Sequence, residues 1–366
     1  NASPFYAGKV RKREEVIRNQ ARSNRLFICH NNLVGGQDEL VFDGQSMVVD
    51  THGNIISRAG AFKEDLLILD VDVPISKAGP LKSIVTITDK LPCKERILLA
   101  KKETKTPEPT AEIYQALILG LRDYIVKNGF QKVVLGLSGG IDSCLVAALA
   151  VDALGKDNVI GVFMPSQYSS AESEEDARRL AENLNIKFLV IPIEQIFKIY
   201  LTALQAQFSG LDANITEENL QARIRGTLLM ALSNKFGWIV LATGNKSEMS
   251  TGYATLYGDM AGGFAVIKDV PKKLVYKLAQ HRNSLSLVIP ERVLTKAPTA
   301  ELKANQKDTD TLPDYETLDP ILKAYIEEDK DLKKIISLGF DKEAVVRVLG
   351  MVDKTEYKRR QSPPGI

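Results

Sequence analysis

The chain has 366 residues, and its 48 basic and 46 acidic side chains leave a formal net charge of +2. That length exceeds the roughly 250–300 residues a single core usually supports, so two domains are expected, and the near-neutral charge gives no global drive toward nucleic acid or anionic membrane. No apolar run approaches the ~18–20 residues of a bilayer span, and three cysteines without metal-like spacing (Cys29, Cys93 and Cys144) argue for a reducing, cytoplasmic compartment and against a disulfide scaffold.

Residues 1–75 read as β-rich. Ser46–Asp50 and Asn54–Ser57 flank Thr51-His52-Gly53, a hairpin signal, and Cys29 falls in a strand-like stretch that reads as structural. The first residue is Asn1 rather than Met, which reads as a fragment or a processed product. Residues 76–110, with Pro80, Pro92, Pro107 and Pro109 and a basic patch from Lys94 to Lys105, read as a solvated linker. From residue 111 helices and apolar strands alternate. Ile113–Lys127 predicts a helix closed by Asn128-Gly129, Lys132–Leu137 a buried strand, and a second helix starts near Asp142. Asn158–Met164 predicts the next strand. Ala177, Leu180, Ala181 and Leu184 form a helical stripe before strand Lys187–Ile191. Thr216 reads as the N-cap of a helix running toward Asn234, with Glu217 and Glu218 in its first turn, and Trp238–Ala242 as a further strand. Residues 318–350 are helical again, with Asp341 as an N-cap and two short helices around Gly339, which without a basic recognition helix do not suggest DNA binding. Such alternation implies an α/β fold with a doubly wound parallel sheet.

Gly136-Leu137-Ser138-Gly139-Gly140-Ile141-Asp142-Ser143 lies between a strand and a helix. Two glycines allow a tight turn and a close backbone approach, the helix N-terminus offers N–H groups to a phosphate, and Ser138 and Ser143 add hydroxyls. No Gly-Lys-Ser/Thr follows, so this is not a Walker A loop. Asp142 stands where an anion would sit, which points to Mg²⁺ bridging its carboxylate and phosphate oxygens. Gly136–Gly140 also fits G-x-S-x-G, the nucleophile elbow of α/β-hydrolases, with His281 as a triad candidate; that reading leaves Asp142 and Ser143 unexplained and has no HGGG-like segment before the strand. His30, His52 and His281 are too scattered for a zinc site.

Ser138–Ser143 resembles the pyrophosphate loop of the ATP pyrophosphatase-type ligases, which adenylate a substrate oxygen and release pyrophosphate. The segments that follow are more selective: Met164–Ser170, Glu218–Gly226, Ala242–Glu248, Tyr257–Asp259, Lys268–Lys272, Pro298–Leu302 and Tyr357–Gln361. In this order they resemble the glutamine-dependent NAD synthetases, and Asn1–Phe5 with Val34–Gly44 resembles the late portion of that family's nitrilase-like glutaminase domain. The resemblance implies an adenine-nucleotide α-hydrolase-like doubly wound sheet in residues 111–366, a partial glutaminase region in 1–75 and a linker in 76–110. It implies a ligase of NAD biosynthesis that takes ATP, Mg²⁺, deamido-NAD and ammonia, the last from glutamine in the full-length family. It also implies a homo-oligomer, a dimer or larger, with no nucleic-acid or membrane partner. The family's glutaminase Cys, Glu and Lys precede Asn1-Ala2-Ser3-Pro4-Phe5, so this chain is expected to lack them.

The resemblance assigns ATP to the residues from Gly136 to Ser143 (Leu137, Ser138, Gly139, Gly140 and Ile141 among them) and to Met164, Ser166, Thr243 and Thr299. It assigns deamido-NAD to Asn219, Arg223, Glu248, Asp259 and Lys358. Asp142 and Glu248 become metal ligands, and Lys272 with Asp142 carries the chemistry. Asn219 and Arg223 lie four apart on one helix face, separate from the apolar stripe Leu220, Ile224 and Leu228. Lys358, Arg359 and Arg360 are cations for the dinucleotide's phosphates or carboxylate. Another pyrophosphate-loop ligase, and a truncated nucleotide-binding remnant without turnover, remain open alternatives.

Overall fold

The computed structural model describes residues 1–72, 99, 104–304 and 306–366. The connector expected at 76–110, with Cys93 and most of the basic patch, lies largely outside the described residues. The chain divides into two compact units, residues 1–34 with 42–107, and residues 35–41 with 108–366.

In the first unit the longest element is a helix, α1 (Lys9–Asn24), in a region whose sequence suggested β-structure. Its sequence is so polar that only Val10, Arg13, Ile17 and Ala21 are buried, at spacings of three and four that mark a narrow helical stripe. Three strands follow as an antiparallel sheet: β1 (Ile28–His30), β4 (Met47–Val49) and β5 (Ile55–Arg58), in the order β1-β4-β5. The pairing of β4 with β5 is the hairpin expected around Thr51-His52-Gly53. Between β1 and β4 in the chain, β2 (Val34–Gln37) and β3 (Leu40–Asp43) form a two-stranded sheet whose residues 35–41 belong to the second unit. Ile17 and Ala21 of α1 pack on Met47 and Val49. Asp43 is fully buried and balanced by Arg13 (2.5 and 2.8 Å), with further bonds from Gln45 and Asn32; unpaired, that charge could not be kept inside a core.

The second unit alternates as its sequence predicts. The elements run α2 (Pro109–Lys127), β6 (Val133–Gly136), α3 (Ile141–Leu154), β7 (Val159–Phe163), α4 (Ala171–Leu184), β8 (Lys187–Val190), α5 (Glu194–Leu204), α6 (Ile215–Phe236), β9 (Ile239–Ala242), α7 (Lys246–Thr251), β10 (Phe264–Ala265) and α8 (Lys272–Leu285). After them come α9 (Glu291–Thr295), α10 (Tyr315–Leu322), α11 (Leu332–Ser337), α12 (Lys342–Lys354) and α13 (Glu356–Arg359). α2 begins four residues before the expected start because Pro109, which lacks an N–H, is tolerated in the first turn. α6 is capped by Asn214, not Thr216: the Asn214 side chain accepts from the Thr216 N–H (2.8 Å), and Glu217 accepts from the Asn214 N–H (2.7 Å). Asp341 caps α12 as expected.

All five strands of the second unit are parallel, in the order β10-β9-β6-β7-β8. Val133 and Leu135 face the core shared with α2, α3 and α8, whereas Val134 faces Ile224 and Leu229 of α6 and Phe197 of α5. Both faces are therefore covered, as a parallel sheet requires. Leu220, Ile224 and Leu228 pack toward the sheet as their spacing predicts. The chain winds from β6 outward to β8, then returns to β9 on the other side of β6. That reversal opens a crevice at the carboxyl ends of β6 and β9, where ligands bind in such sheets. No helix among the described residues is long and apolar enough to cross a membrane.

Candidate active site

The turn after β6 opens into that crevice. Gly139 has φ +78°, and a Cβ there would collide with the Ser173 carbonyl at the start of α4, so this position needs glycine on two counts. The Ser138 hydroxyl accepts from the Gly140 N–H (3.2 Å) and lies 3.2 Å from the Ser143 hydroxyl, which in turn donates to the Gly140 carbonyl (3.0 Å). No side chain caps α3, leaving its first-turn N–H groups to an anion.

A charged cluster stands beside this loop. Lys272, the first residue of α8, is 2% exposed, and its ammonium donates to Asp142 Oδ2 at 2.6 Å and Glu248 Oε1 at 3.2 Å. Asp142 Oδ1 accepts from Asn245 Nδ2 at 2.9 Å. Asn245 also caps α7 by accepting from the Glu248 N–H, so one residue fixes both carboxylates. The backbone of Lys272 is held by Ser247 Oγ (3.0 Å), which donates to Asp319 (2.5 Å); Asp319 also accepts from the Lys273 N–H (3.0 Å). Tyr315 lies under the ammonium at 5.4 Å and donates its hydroxyl to Asp308 (2.8 Å), which Tyr253 also reaches (3.3 Å). Burial works against the charge on Lys272, but Asp142 and Glu248 outweigh it and hold the ammonium above the usual lysine range. Burial pushes Glu248 upward against the pull of Lys272.

Asp142 and Glu248 thus converge on a single atom, and both border open space. Two carboxylates that leave the rest of the shell to water and phosphate oxygens are a donor set that fits Mg²⁺. Among the described residues no group of three or more His, Cys, Asp or Glu forms a cage able to hold a metal by itself.

These groups line a cavity of about 280 Å³. It gathers Gly136 to Ser143, Met164, Thr243, Glu248, Asp259, Lys272 and Thr299 from the expected set. Thr299 spends its hydroxyl on the Gln306 carbonyl (2.6 Å). Ser166, Asn219, Arg223 and Lys358 do not line the cavity. Ser166 accepts from the Tyr168 N–H (3.3 Å) in the turn after β7. Asn219 accepts from the Thr255 hydroxyl (2.7 Å), Arg223 donates to the Leu256 carbonyl (3.2 Å), and Lys358 donates to the carbonyls of Gly252 and Ala254 (2.7 Å each). All three therefore brace the segment 252–259, which ends at Asp259 on the cavity wall. Arg359 ties down the Ser250 carbonyl (2.8 Å), and Arg360 pairs with Glu356 on the surface.

The cavity also contains residues to which the sequence reading gave no role. Ala222, Arg225, Gly226 and Leu229 present one face of α6 to it. Their spacing of three, four and seven was the signal that could have found Arg225. Lys296, Glu301 and Asp308 come from the strap after α9. Glu301, with φ +50°, accepts from the Ser170 N–H (3.2 Å), the hydroxyls of Ser170 (2.9 Å) and Ser173 (2.7 Å), and the Lys296 ammonium (3.1 Å). The hydrolase reading finds no support here. Ser138 lacks the left-handed backbone of a strained elbow, and His281 packs on the Tyr114 ring (5.5 Å) away from the cavity lining.

The sequence matches the NAD synthase family over residues 113–362 and the carbon-nitrogen hydrolase family over residues 10–78. It is 50% identical over its whole length to a glutamine-dependent NAD(+) synthetase of Aquifex aeolicus and 51% identical to that of Thermotoga maritima, covering 66% of each. A solved glutamine-dependent NAD+ synthetase from Acinetobacter baumannii, in complex with ADP, superposes with a TM-score of 0.71 at 46% identity, over all of this chain and 64% of that one. The chain thus spans just under two thirds of the length of the relatives it matches.

Proposed function

The chain belongs to the NAD synthase family, and on that premise we propose that it amidates deamido-NAD to NAD with ATP and ammonia, releasing AMP and pyrophosphate. The observation that carries this reading is the Lys272–Asp142–Glu248 cluster beside the glycine-rich turn at the sheet's switch point. In the first step an oxygen of the nicotinate carboxylate attacks the α-phosphorus of ATP. The bond from that phosphorus to the bridging oxygen breaks, and pyrophosphate leaves from an acyl adenylate. In the second step ammonia attacks the acyl carbon, the bond to the adenylate oxygen breaks, AMP departs, and the nitrogen loses a proton.

Both steps gather negative charge, so the residues needed are cations and N–H donors more than proton carriers. In this reading the backbone from Gly136 to Ser143, with both serine hydroxyls, cradles the β- and γ-phosphates. Lys272 opposes charge growing at the α-phosphorus. Thr243 and Thr299 flank the phosphates, and Met164 takes the adenine and ribose, with Ser166 acting through the turn after β7 that it holds. Asp142 and Glu248 are the groups that would hold Mg²⁺, which supplies charge neutralisation between these carboxylates and the phosphate oxygens. Deamido-NAD is assigned to Asp259 and Glu248, with Asn219, Arg223 and Lys358 acting through the segment they brace. Residues 111–366 form the synthetase domain in this proposal, 76–110 the linker, and 1–75 the late part of a glutaminase domain that relates the nitrogen supply to glutamine. Assembly as a homodimer or larger belongs to the same reading.

The adenylate route is tested by labelling the nicotinate carboxylate with ¹⁸O. One labelled oxygen per NAD formed should appear in AMP; label in pyrophosphate or phosphate instead would refute the adenylate.

A further inference from the structure

Arg225 is a cation without a direct ion pair among the described residues, although Glu301 and Asp259 across the same cavity are near enough to favour its charge. Its Nε donates to the Met164 carbonyl at the end of β7 (3.0 Å), and no carboxylate among the described residues lies within ion-pair distance of its guanidinium. The side chain nevertheless lines the cavity, on the same face of α6 as Leu229, one turn on. Its position is set firmly. The neighbouring Gly226 packs so close to the 258 loop that a Cβ would come 2.7 Å from the Gly258 carbonyl. Met164 in turn abuts β6: a Cβ on Gly136 would lie 3.5 Å from the Met164 terminal methyl. The guanidinium is thus anchored at the end of β7 in the cavity that the glycine-rich turn also lines, with one nitrogen held and no other hydrogen bond to its fork among the described residues, a donor pair suited to a planar or tetrahedral anion. Burial pushes it down to about 10, still protonated at neutral pH, so the site keeps its positive charge when empty.

Resting on the nucleotide placement proposed above, we infer that Arg225 binds the α-phosphate of the adenine nucleotide. With the β- and γ-phosphates on the glycine-rich turn and the ribose toward Met164, the phosphate nearest the ribose is the one the fork meets. Arg225 then holds the same group in ATP and in AMP, and its preference for a phosphate over a neutral nucleoside is a property of binding alone.

The test is titration calorimetry on the full chain with adenosine, AMP and deamido-NAD, in EDTA so that no metal assists. The unaltered chain should bind AMP at least tenfold more tightly than adenosine. Arg225→Met should weaken AMP by about 10- to 100-fold and leave adenosine unchanged, and Arg225→Lys should recover part of the loss. Equal affinity of the unaltered chain for AMP and adenosine would overturn the inference without any variant having to fold. So would a parallel loss of both ligands in Arg225→Met, or a loss confined to deamido-NAD. None of these readings needs turnover. A chain that discriminates AMP through Arg225 but makes no NAD keeps this inference and loses the proposed function; NAD formation with AMP affinity indifferent to Arg225 does the reverse.

Discussion

Lys272 sits where three demands meet: it opens helix α8, neutralises two carboxylates and faces the cavity. A buried ammonium in that setting is preorganised, so its worth should appear in the transition state more than in ground-state binding. Lys272→Ala is therefore expected to lower kcat by about 10²–10³ with a much smaller change in ATP affinity, in steady-state kinetics paired with direct nucleotide binding. A loss confined to binding would remove it from the chemistry. Asp142 stood out in the sequence through its glycine-rich turn after a strand, whereas Glu248 and Lys272 were singled out only by the family resemblance; the structure brings the three side chains together. Arg225 did not stand out, because Asn219 and Arg223, on the same helix, offered the more obvious polar pair. Those two turn to the 252–259 segment and the cavity face lies beside them, a rotation that no one-dimensional pattern fixes without knowing which side of α6 the sheet takes.

At the scale of elements, the strap after α9 is fastened to the start of α4 by Glu301. Burial works to raise this carboxyl, but hydrogen bonds from Ser173 and Ser170 and the Lys296 ammonium outweigh it and hold it below its ordinary value of 4.5. A carboxylate depressed in the folded state contributes stability above its unfolded pKa, and that contribution is lost as pH falls through the folded value. Glu301→Gln should thus cost about 2 kcal/mol at pH 7 in thermal unfolding, and the two proteins should converge as the pH drops below 4.5. A difference that persists unchanged at low pH would mean that the ionised form plays no part. The sequence could mark this segment as a motif, but not the fastening, which spans 131 residues. Local rules served better where they were sufficient: Asp341 caps α12, and Gly139 takes the turn that only glycine can. They failed at α1, whose apolar stripe is one residue wide, and at α6, where Asn214 and Thr216 are both good caps and the extended backbone at Asn214 decides.

For the whole molecule, the order of parallel strands places the loops after β6, β7 and β9 side by side, so segments far apart in sequence share one cavity. The alternation of strands and helices made this class of fold legible. The edge of the sheet was not, since β10 has only two residues and gains a further partner when Ala265 bridges to Gly365 near the C-terminus. The neighbourhood of Asp142, Glu248 and Lys272, separated by 106 and 24 residues, follows from the same winding and from no local signal. Its chemistry is most directly tested by measuring NAD formation from deamido-NAD, ATP and Mg²⁺, with ammonium and with glutamine as separate nitrogen donors, beside Asp142→Asn and Glu248→Gln. NAD should form with ammonium in step with AMP and pyrophosphate, and either substitution should abolish it. No NAD with either donor, or unchanged rates in both variants, would contradict the assignment of this cavity to deamido-NAD amidation.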